Sequence, residues 1–529
     1  MKRPFTVVAL VAVAGVPAGL SLAGPVQVVV DCGVEVARGS GPLRYGVCLN
    51  YLIDSDRYDA SRKHTLRDSL RRLKVKAIRW NEGEIGDKMI WSIPPFRAPD
   101  AHVTHQRTPG TEHYNWRVDE RGKMKKAMEL DEAIAIARDL EVELFIIVGI
   151  DAIWVEDPSV RGRDTSGRAD PLGEVHKRMT DYDWAIEGKS AREMIVAGTA
   201  ALARYLAEHA ADVKVFLEIG NENYLGDASW KPEAYAQLVN QLSRETKAAN
   251  PKARVGAQVA HQHRWTSVAA DGRRWNAVMR EALELGRLDH LIVHQYGYRD
   301  TLDLDSAVAF LESLPPADRK RIDITVTELG TWHLPGSGER WSPNDLHRSL
   351  YQFRWLGLIQ TNGKGLVRTP LFWTTRWLDA LKEGSYEKSF HALALDGELA
   401  PSGQAVRVWN EFVHDSLVKV TVPDAARDLD CYASQKRADP TQLTVWLVNN
   451  YAHTRTASVT LKSYRGGRPT AVFRYTGNGP GDQHPALSRL DCLPSLGRGV
   501  PPSIDCTMQP YSITVVQFGG TRSPERQAE

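Results

Sequence analysis

Long apolar runs are scarce in this sequence. Beyond the N-terminus none approaches the ~18 consecutive apolar residues that a membrane-crossing helix needs, so no membrane partner is expected in the mature chain. Cysteine is also sparse: five in 529 residues, an odd count that leaves at least one thiol unpaired. Three of the five, Cys431, Cys492 and Cys506, fall near the C-terminus, with Cys492 and Cys506 the nearest pair and the connectivity open, while Cys48 sits in an apolar run as a small hydrophobe. No cysteine–histidine spacing resembles a zinc site, and no glycine-rich loop is built to cradle phosphate. Neither a metal nor a cofactor is therefore expected. Charge is nearly balanced, with 67 Lys and Arg against 65 Asp and Glu. Bulk electrostatics thus argue neither for nor against a polyanionic partner, and no nucleic-acid partner is expected.

What is present begins with an address. Lys2 and Arg3 precede an apolar run from Phe5 to Gly15, and Ser21-Leu22-Ala23 has the small-x-small form of a cleavage site. Residues 1–23 read as a secretory signal peptide, which places the mature protein outside the cytoplasm, secreted or periplasmic. Residues 24–40 are a β-rich segment set apart from the rest of the chain, available to join a distant sheet. From Tyr45 the chain alternates short apolar runs with helical periods, the pattern of a parallel sheet wrapped by helices.

Eight such units fit residues 41–415. The strands are expected at 45–50, 75–81, 143–150, 213–219, 254–260, 288–296, 322–328 and 365–374, with helices near 61–73, 123–140, 191–211, 232–249, 273–285, 306–314, 344–360 and 402–412. Long loops follow strands two and three, on the face where a barrel carries its active groups. From 416 to 519 the period changes to short strands between Gly, Pro and Asn turns, a β-sandwich. Residues 520–529 are a polar tail. The expected fold class is α/β: a (β/α)8 TIM barrel followed by a C-terminal β-sandwich.

Two strand ends carry the chemistry. Val213 to Ile219 is an apolar run broken by Gly220 and followed by Asn221, Glu222 and Asn223, and Ile322 to Thr327 delivers Glu328 in the same way. Two carboxyl groups at the rigid tips of parallel strands suit glycoside cleavage, which needs a proton on the leaving oxygen and a second carboxylate across the anomeric carbon. Environments that keep one group protonated and the other ionised would divide the two roles. The high count of 15 Trp fits core packing and also the flat faces that sugars stack on.

Gly220-Asn221-Glu222-Asn223 and Thr327-Glu328-Leu329-Gly330, each after an apolar strand, resemble the strand-four and strand-seven ends of clan A glycoside hydrolases. The architecture looks most like families 51, 39, 30 and 79, an arabinofuranosidase-like barrel with a sandwich. The resemblance implies that Glu328 is the nucleophile and Glu222 the general acid/base. It implies that Asn221 holds a sugar hydroxyl, that His294 and Tyr296 at the end of strand six stand by the nucleophile, that Arg79 on strand two supports its charge, and that Trp373 at the end of strand eight offers a face to the sugar. Asn81-Glu82-Gly83-Glu84 departs from the family 51 pattern.

Asn50 at the tip of strand one and His261 after strand five are further candidate substrate contacts. Glu218, a layer below Glu222, is placed either for an ion pair with Arg79 or for catalysis. His102, His105, Arg107 and His113 in one long loop, with Arg161, Arg163, Arg168, His176, Lys177 and Arg178 in the other, are cations that either read an acidic polysaccharide or form a solvated face. The expected activity is a secreted retaining glycosidase on plant or algal polysaccharide or oligosaccharide, arabinofuranosidase-like or β-glycosidase-like. The alternatives are an endo-acting agarase-like or uronide-cleaving enzyme, and a barrel that binds carbohydrate without turnover. The oligomeric state is not legible.

Overall fold

A computed structural model describes residues 24–38, 43–59, 61–81, 83–105, 118–160, 177–224, 230–260, 266–296, 304–331, 342–363, 365–377, 384, 386–388, 390–426, 429–497 and 501–519. The signal segment, the polar tail, His261 and the loop cations Arg107, His113, Arg161, Arg163, Arg168 and His176 lie outside the described residues.

Eight parallel strands close into a barrel in chain order: Gly46–Cys48, Ala77–Trp80, Glu143–Val148, Val215–Ile219, Arg254–Gln258, His290–Tyr296, Asp323–Gly330 and Leu371–Phe372. Their residues are buried almost throughout, as strands covered by helices on one face and by a filled barrel on the other require. Inside, Phe145 of strand three stacks on Phe216 of strand four with centroids 4.3 Å apart. This layer and the partly buried Trp373 above it form one apolar cluster with Cys48, Ala77 and Leu371.

Several expected elements are shorter, for local reasons. The first helix starts at Leu66 because the Thr65 side chain accepts from the Asp68 backbone N–H and fixes the N-terminus. The helix expected from Lys123 begins only at Leu130; the Lys123 backbone instead bridges His102, and Met128 donates to the Tyr51 carbonyl. Strand eight keeps only Leu371 and Phe372, since Gly365 has φ +72° and Val367 makes a single bridge to Ile324. The loop after strand two is not free of structure. It holds the short helix Gly83–Asp87 and a small hairpin, Met89–Ile90 with His102–Val103. None of the described helices is long and apolar enough to cross a membrane.

The C-terminal region is a nine-stranded sheet around a second apolar cluster. The early segment Val26–Arg38 lies inside it, antiparallel to Ser416–Thr421 and parallel to Arg455–Lys462. Five C-terminal strands are expected from the sequence; Leu429–Lys436, Ala486–Leu490 and Ser503–Met508 add to them. All five cysteines are free thiols, so the Cys492 and Cys506 pair is not bridged.

Barrel and sandwich meet over aromatic rings. Trp409 of the helix Pro401–Phe412 stacks on Trp446 at 5.2 Å, and the Tyr432 hydroxyl donates to the Arg354 carbonyl at 3.0 Å. Tyr432 lies flat on Gly357 of the helix Leu346–Asn362, where a Cβ would meet its ring at 2.1 Å. On an open helix Gly→Ala gains about 0.5–1 kcal/mol. Here the clash decides the sign. Gly357→Ala is expected to destabilise the protein by about 1–3 kcal/mol, read as a lower urea midpoint at unchanged slope.

Candidate active site

The upper ends of strands two, four, six and seven converge on one buried ionic cluster. Arg79 is fully buried at its centre. Its Nη1 donates to Glu328 Oε1 at 2.8 Å, while its Nη2 donates to Glu218 Oε2 at 2.7 Å and to Asn221 Oδ1 at 2.9 Å. Burial works against the charged guanidinium, but Glu218 and Glu328 outweigh it and hold its pKa well above the ordinary value. Glu218 is thus the ion-pair partner of Arg79, the first of the two roles its place in strand four allowed.

Glu222 reaches the cluster through an unusual turn. Gly220 has φ +73° and Glu222 has φ +51°, a region that a non-glycine residue enters at a cost of about 1–3 kcal/mol. A side chain at 220 would meet Asn223 Oδ1 at 1.9 Å, so only glycine fits. The turn raises Glu222 out of the strand and leaves its side chain 27% exposed, against 5% for Glu328.

Glu328 is placed differently. The pairing of strand seven with strand six slips by one residue between Val326 and Glu328. Such a bulge re-aims the side chains that follow it. Tyr296 donates its hydroxyl to Glu328 Oε2. His294 Nδ1 is hydrogen-bonded to Glu222 Oε1 at 2.8 Å and lies 3.3 Å from Glu328 Oε2; on the other side of the ring Nε2 stands 3.2 Å from Thr327 Oγ1. One imidazole therefore bridges the two carboxyl groups. A carboxylate oxygen from each glutamate and a His294 nitrogen all lie within 4.8 Å of one another.

Burial pushes the Glu328 carboxyl above its usual range; His294, Arg79 and the Tyr296 hydroxyl oppose the push, and Glu222 adds to it. Burial, followed by the nearby Glu328, keeps the Tyr296 phenol well above its ordinary value, so it remains a donor. Glu222, His294 and Glu328 are also the one set among the described residues with three ligand atoms close enough for a cation. The positive charge there is already supplied by Arg79, which holds one Glu328 oxygen while Tyr296 holds the other.

Trp373 closes one side of the site. Its indole lies over Gly83, where a Cβ would meet Cη2 at 2.5 Å, and its Nε1 is buried without a hydrogen-bond acceptor among the described residues. Asn50 is turned elsewhere. Its Nδ2 donates to the Arg376 carbonyl at 3.0 Å and its Oδ1 accepts from the Leu52 N–H at 3.2 Å, tying strand one to strand eight beside the buried Asp54–Arg376 pair. Both polar atoms of the Asn50 amide thus have backbone partners. The described loop cations are also engaged. His102 and His105 are buried, Arg178 pairs with Asp181 at 3.3 Å, and Lys177 donates to the Glu120 carbonyl at 3.2 Å.

Tyr224, Asn223 and Asp87 also belong to this region and are absent from the sequence-derived set. Tyr224 is buried, and Glu222 and Glu328 both bear on its hydroxyl. Asn223 donates to Asp87 Oδ2 at 2.9 Å. The signal for Asp87 is the pair Gly83 and Gly86 just before it, since two glycines in one short loop mark a close approach of backbones.

No family model and no curated protein matches the chain. Solved structures do match in fold. An α-L-arabinofuranosidase from Thermotoga maritima, in complex with arabinose, has TM-score 0.59 and 14% identity over 93% of this chain and 99% of its own. A family 44 xyloglucanase from Paenibacillus polymyxa has TM-score 0.56 and 12% identity over 94% and 100%. A family 30 endoxylanase from Clostridium papyrosolvens has TM-score 0.54 and 12% identity over 93% and 100%. The chain shares the barrel-and-sandwich fold of these proteins across nearly its whole length.

The raised Glu328 pKa has a stability consequence. A carboxyl whose folded pKa lies above its unfolded value of about 4.3 costs stability once pH exceeds the folded pKa, and costs nothing below the unfolded one. Glu328→Gln keeps the shape and leaves Arg79 its Glu218 partner. The variant is expected to melt higher than the wild type at pH 7, with the gain vanishing below about pH 4, checked by thermal melts across that range.

Proposed function

We propose that the chain is a retaining glycoside hydrolase of plant or algal polysaccharides or oligosaccharides, acting outside the cytoplasm. The observation that carries this reading is the spacing and inequality of Glu222 and Glu328. Carboxyl groups ~5–5.5 Å apart belong to retaining enzymes, and a gap of ~6.5–9.5 Å is needed where water must fit between base and sugar. One oxygen of Glu222 and one of Glu328 lie within 4.8 Å of each other, which supports the shorter spacing.

The buried Glu328, with Arg79 and Tyr296 on its two oxygens, is the nucleophile. It attacks the anomeric carbon as the bond to the leaving oxygen breaks. The more exposed Glu222 gives its proton to that oxygen. The covalent glycosyl–Glu328 ester is then hydrolysed by a water that Glu222 deprotonates, which returns both groups to their starting states. Asn221 lies within hydrogen-bond reach of Arg79 with its amide nitrogen left for a sugar hydroxyl, a contact that strengthens in the oxocarbenium-like transition state. The partly exposed ring of Trp373 offers its face to the sugar. The N-terminal signal pattern supports action after export. The acidic-substrate reading is less favoured, because the described loop cations already have local partners.

The test is a panel of aryl arabinosides, xylosides, galactosides and glucuronides, with agarose and sulfated galactans, against the wild type and two variants. Glu328→Ala is expected to abolish cleavage, with azide restoring turnover as a glycosyl azide. Glu222→Ala is expected to lower kcat/KM by about 10²–10⁴ for poor leaving groups. The first sugar released by the wild type should keep its anomeric configuration by NMR. Wild-type turnover in either variant, or an inverted first product, overturns the mechanism; polysaccharide binding without any cleavage returns the non-catalytic barrel.

A further inference from the structure

A buried carboxyl group beside the site has no part in the two-step reaction. Asp87 ends the short helix Gly83–Asp87 and is buried. Its Oδ1 accepts from the Ile150 N–H at 2.9 Å, at the end of strand three. Its Oδ2 accepts from Asn223 Nδ2 at 2.9 Å. The backbone N–H of Asn221 is directed at the same carboxyl group. Asp87 therefore grips the residue after Glu222 and anchors it to the end of strand three.

We infer that Asp87 is the positioning residue for the acid/base: it holds the turn from Gly220 to Asn223 in the left-handed form that lifts Glu222 toward the leaving oxygen. This inference rests on the glycosidase reading of the site. A glutamate at φ +51° persists only where its surroundings over-determine it. Glu222 makes its own contact with His294, but that contact acts on the side chain. The grip on Asn223 acts on the residue that ends the turn, while Arg79 holds Asn221 on its other side.

Asp87 and its neighbour Asp151 are buried polar groups, which are costly to maintain for packing alone. Burial, then Asp151 beside it, pushes the Asp87 carboxyl up to about 8. Asp151 in turn lies 3.5 Å from the buried His105 Nε2. A chain of polar groups from His105 through Asp151 and Asp87 thus ends at Asn223, next to Glu222. The carboxyl chemistry is specific. Both oxygens of Asp87 face N–H donors, and a carboxyl oxygen accepts whether or not it carries a proton. An amide nitrogen does not, so Asp87→Asn breaks one grip with almost no change of shape.

The experiment compares wild type, Asp87→Asn and Asn223→Ala on two aryl glycosides of the sugar that the wild type cleaves, one with phenol and one with 2,4-dinitrophenol as leaving group. Protonation matters for the first and hardly for the second. Asp87→Asn is expected to lower kcat/KM at least about tenfold on the phenyl glycoside and less than about threefold on the dinitrophenyl glycoside, with the phenyl loss in kcat more than in KM. Asn223→Ala removes one grip and is expected to show the same asymmetry to a lesser degree, which keeps the test open if Asp87→Asn does not fold. Equal losses on both substrates, or a loss confined to KM, overturn the role of Asp87 while leaving the glycosidase reading intact. A wild type that cleaves no glycoside overturns that reading, and this inference falls with it.

Discussion

Everything at the top of the barrel depends on one buried cation. Arg79 is enclosed on all sides, and a guanidinium in that position is tolerable only because its fork of donors is matched by acceptors on two other strands. Removing the guanidinium would leave the buried Glu218 and Glu328 facing each other without a cation, and breaking a buried pair in that way typically costs ~3–5 kcal/mol. The strands can supply the acceptors because a closed barrel fixes where Glu218 and Glu328 stand, independent of the loops. The same constraint makes Glu222 and Glu328 unequal. Glu328 is held inside the ionic network, and Glu222 stands above it with solvent in reach.

The architecture was largely readable from periodicity. Parallel strands buried on both faces appear as near-continuous apolar runs, and the polar residues that end them stand out. Val215–Ile219 ends within the expected run, and Gly220 marks its tip because no other residue fits there. Glu328 was readable as a strand-end carboxylate. Its aim was not, since that depends on a register slip between strands six and seven that one strand's sequence does not contain. Asn50 shows the converse. It lies at the right end of the right strand, yet its amide is engaged by the strand-eight backbone, a partner far away in the chain. Asp87 was hidden for the same reason, because its importance comes from donors on strands three and four. In the sandwich, the unexpected strands are those with polar or exposed outward residues, such as Ala486–Leu490, where alternation is too weak to read as a strand.

The identities of 12–14% to proteins of the same fold have a physical counterpart in how the core is built. The barrel needs apolar volume in the right layers, and many residue sets provide it. Exchange is resisted where backbones or rings nearly touch, as at Gly83 under Trp373, Gly220 beside Asn223, and Gly357 under Tyr432. The first two shape the floor and rim of the site, and the third docks the sandwich.

The strand Val26–Arg38 precedes every barrel strand in the chain but sits between two strands that follow them all. Until those strands are made it has no sheet to enter, and its valine-rich row of unpaired amides is open to pairing with another chain. Every barrel strand is synthesised in the interval. The sandwich therefore assembles late, around a strand that has waited throughout, and the loop closure that joins the two ends of the protein is among its slowest steps to form.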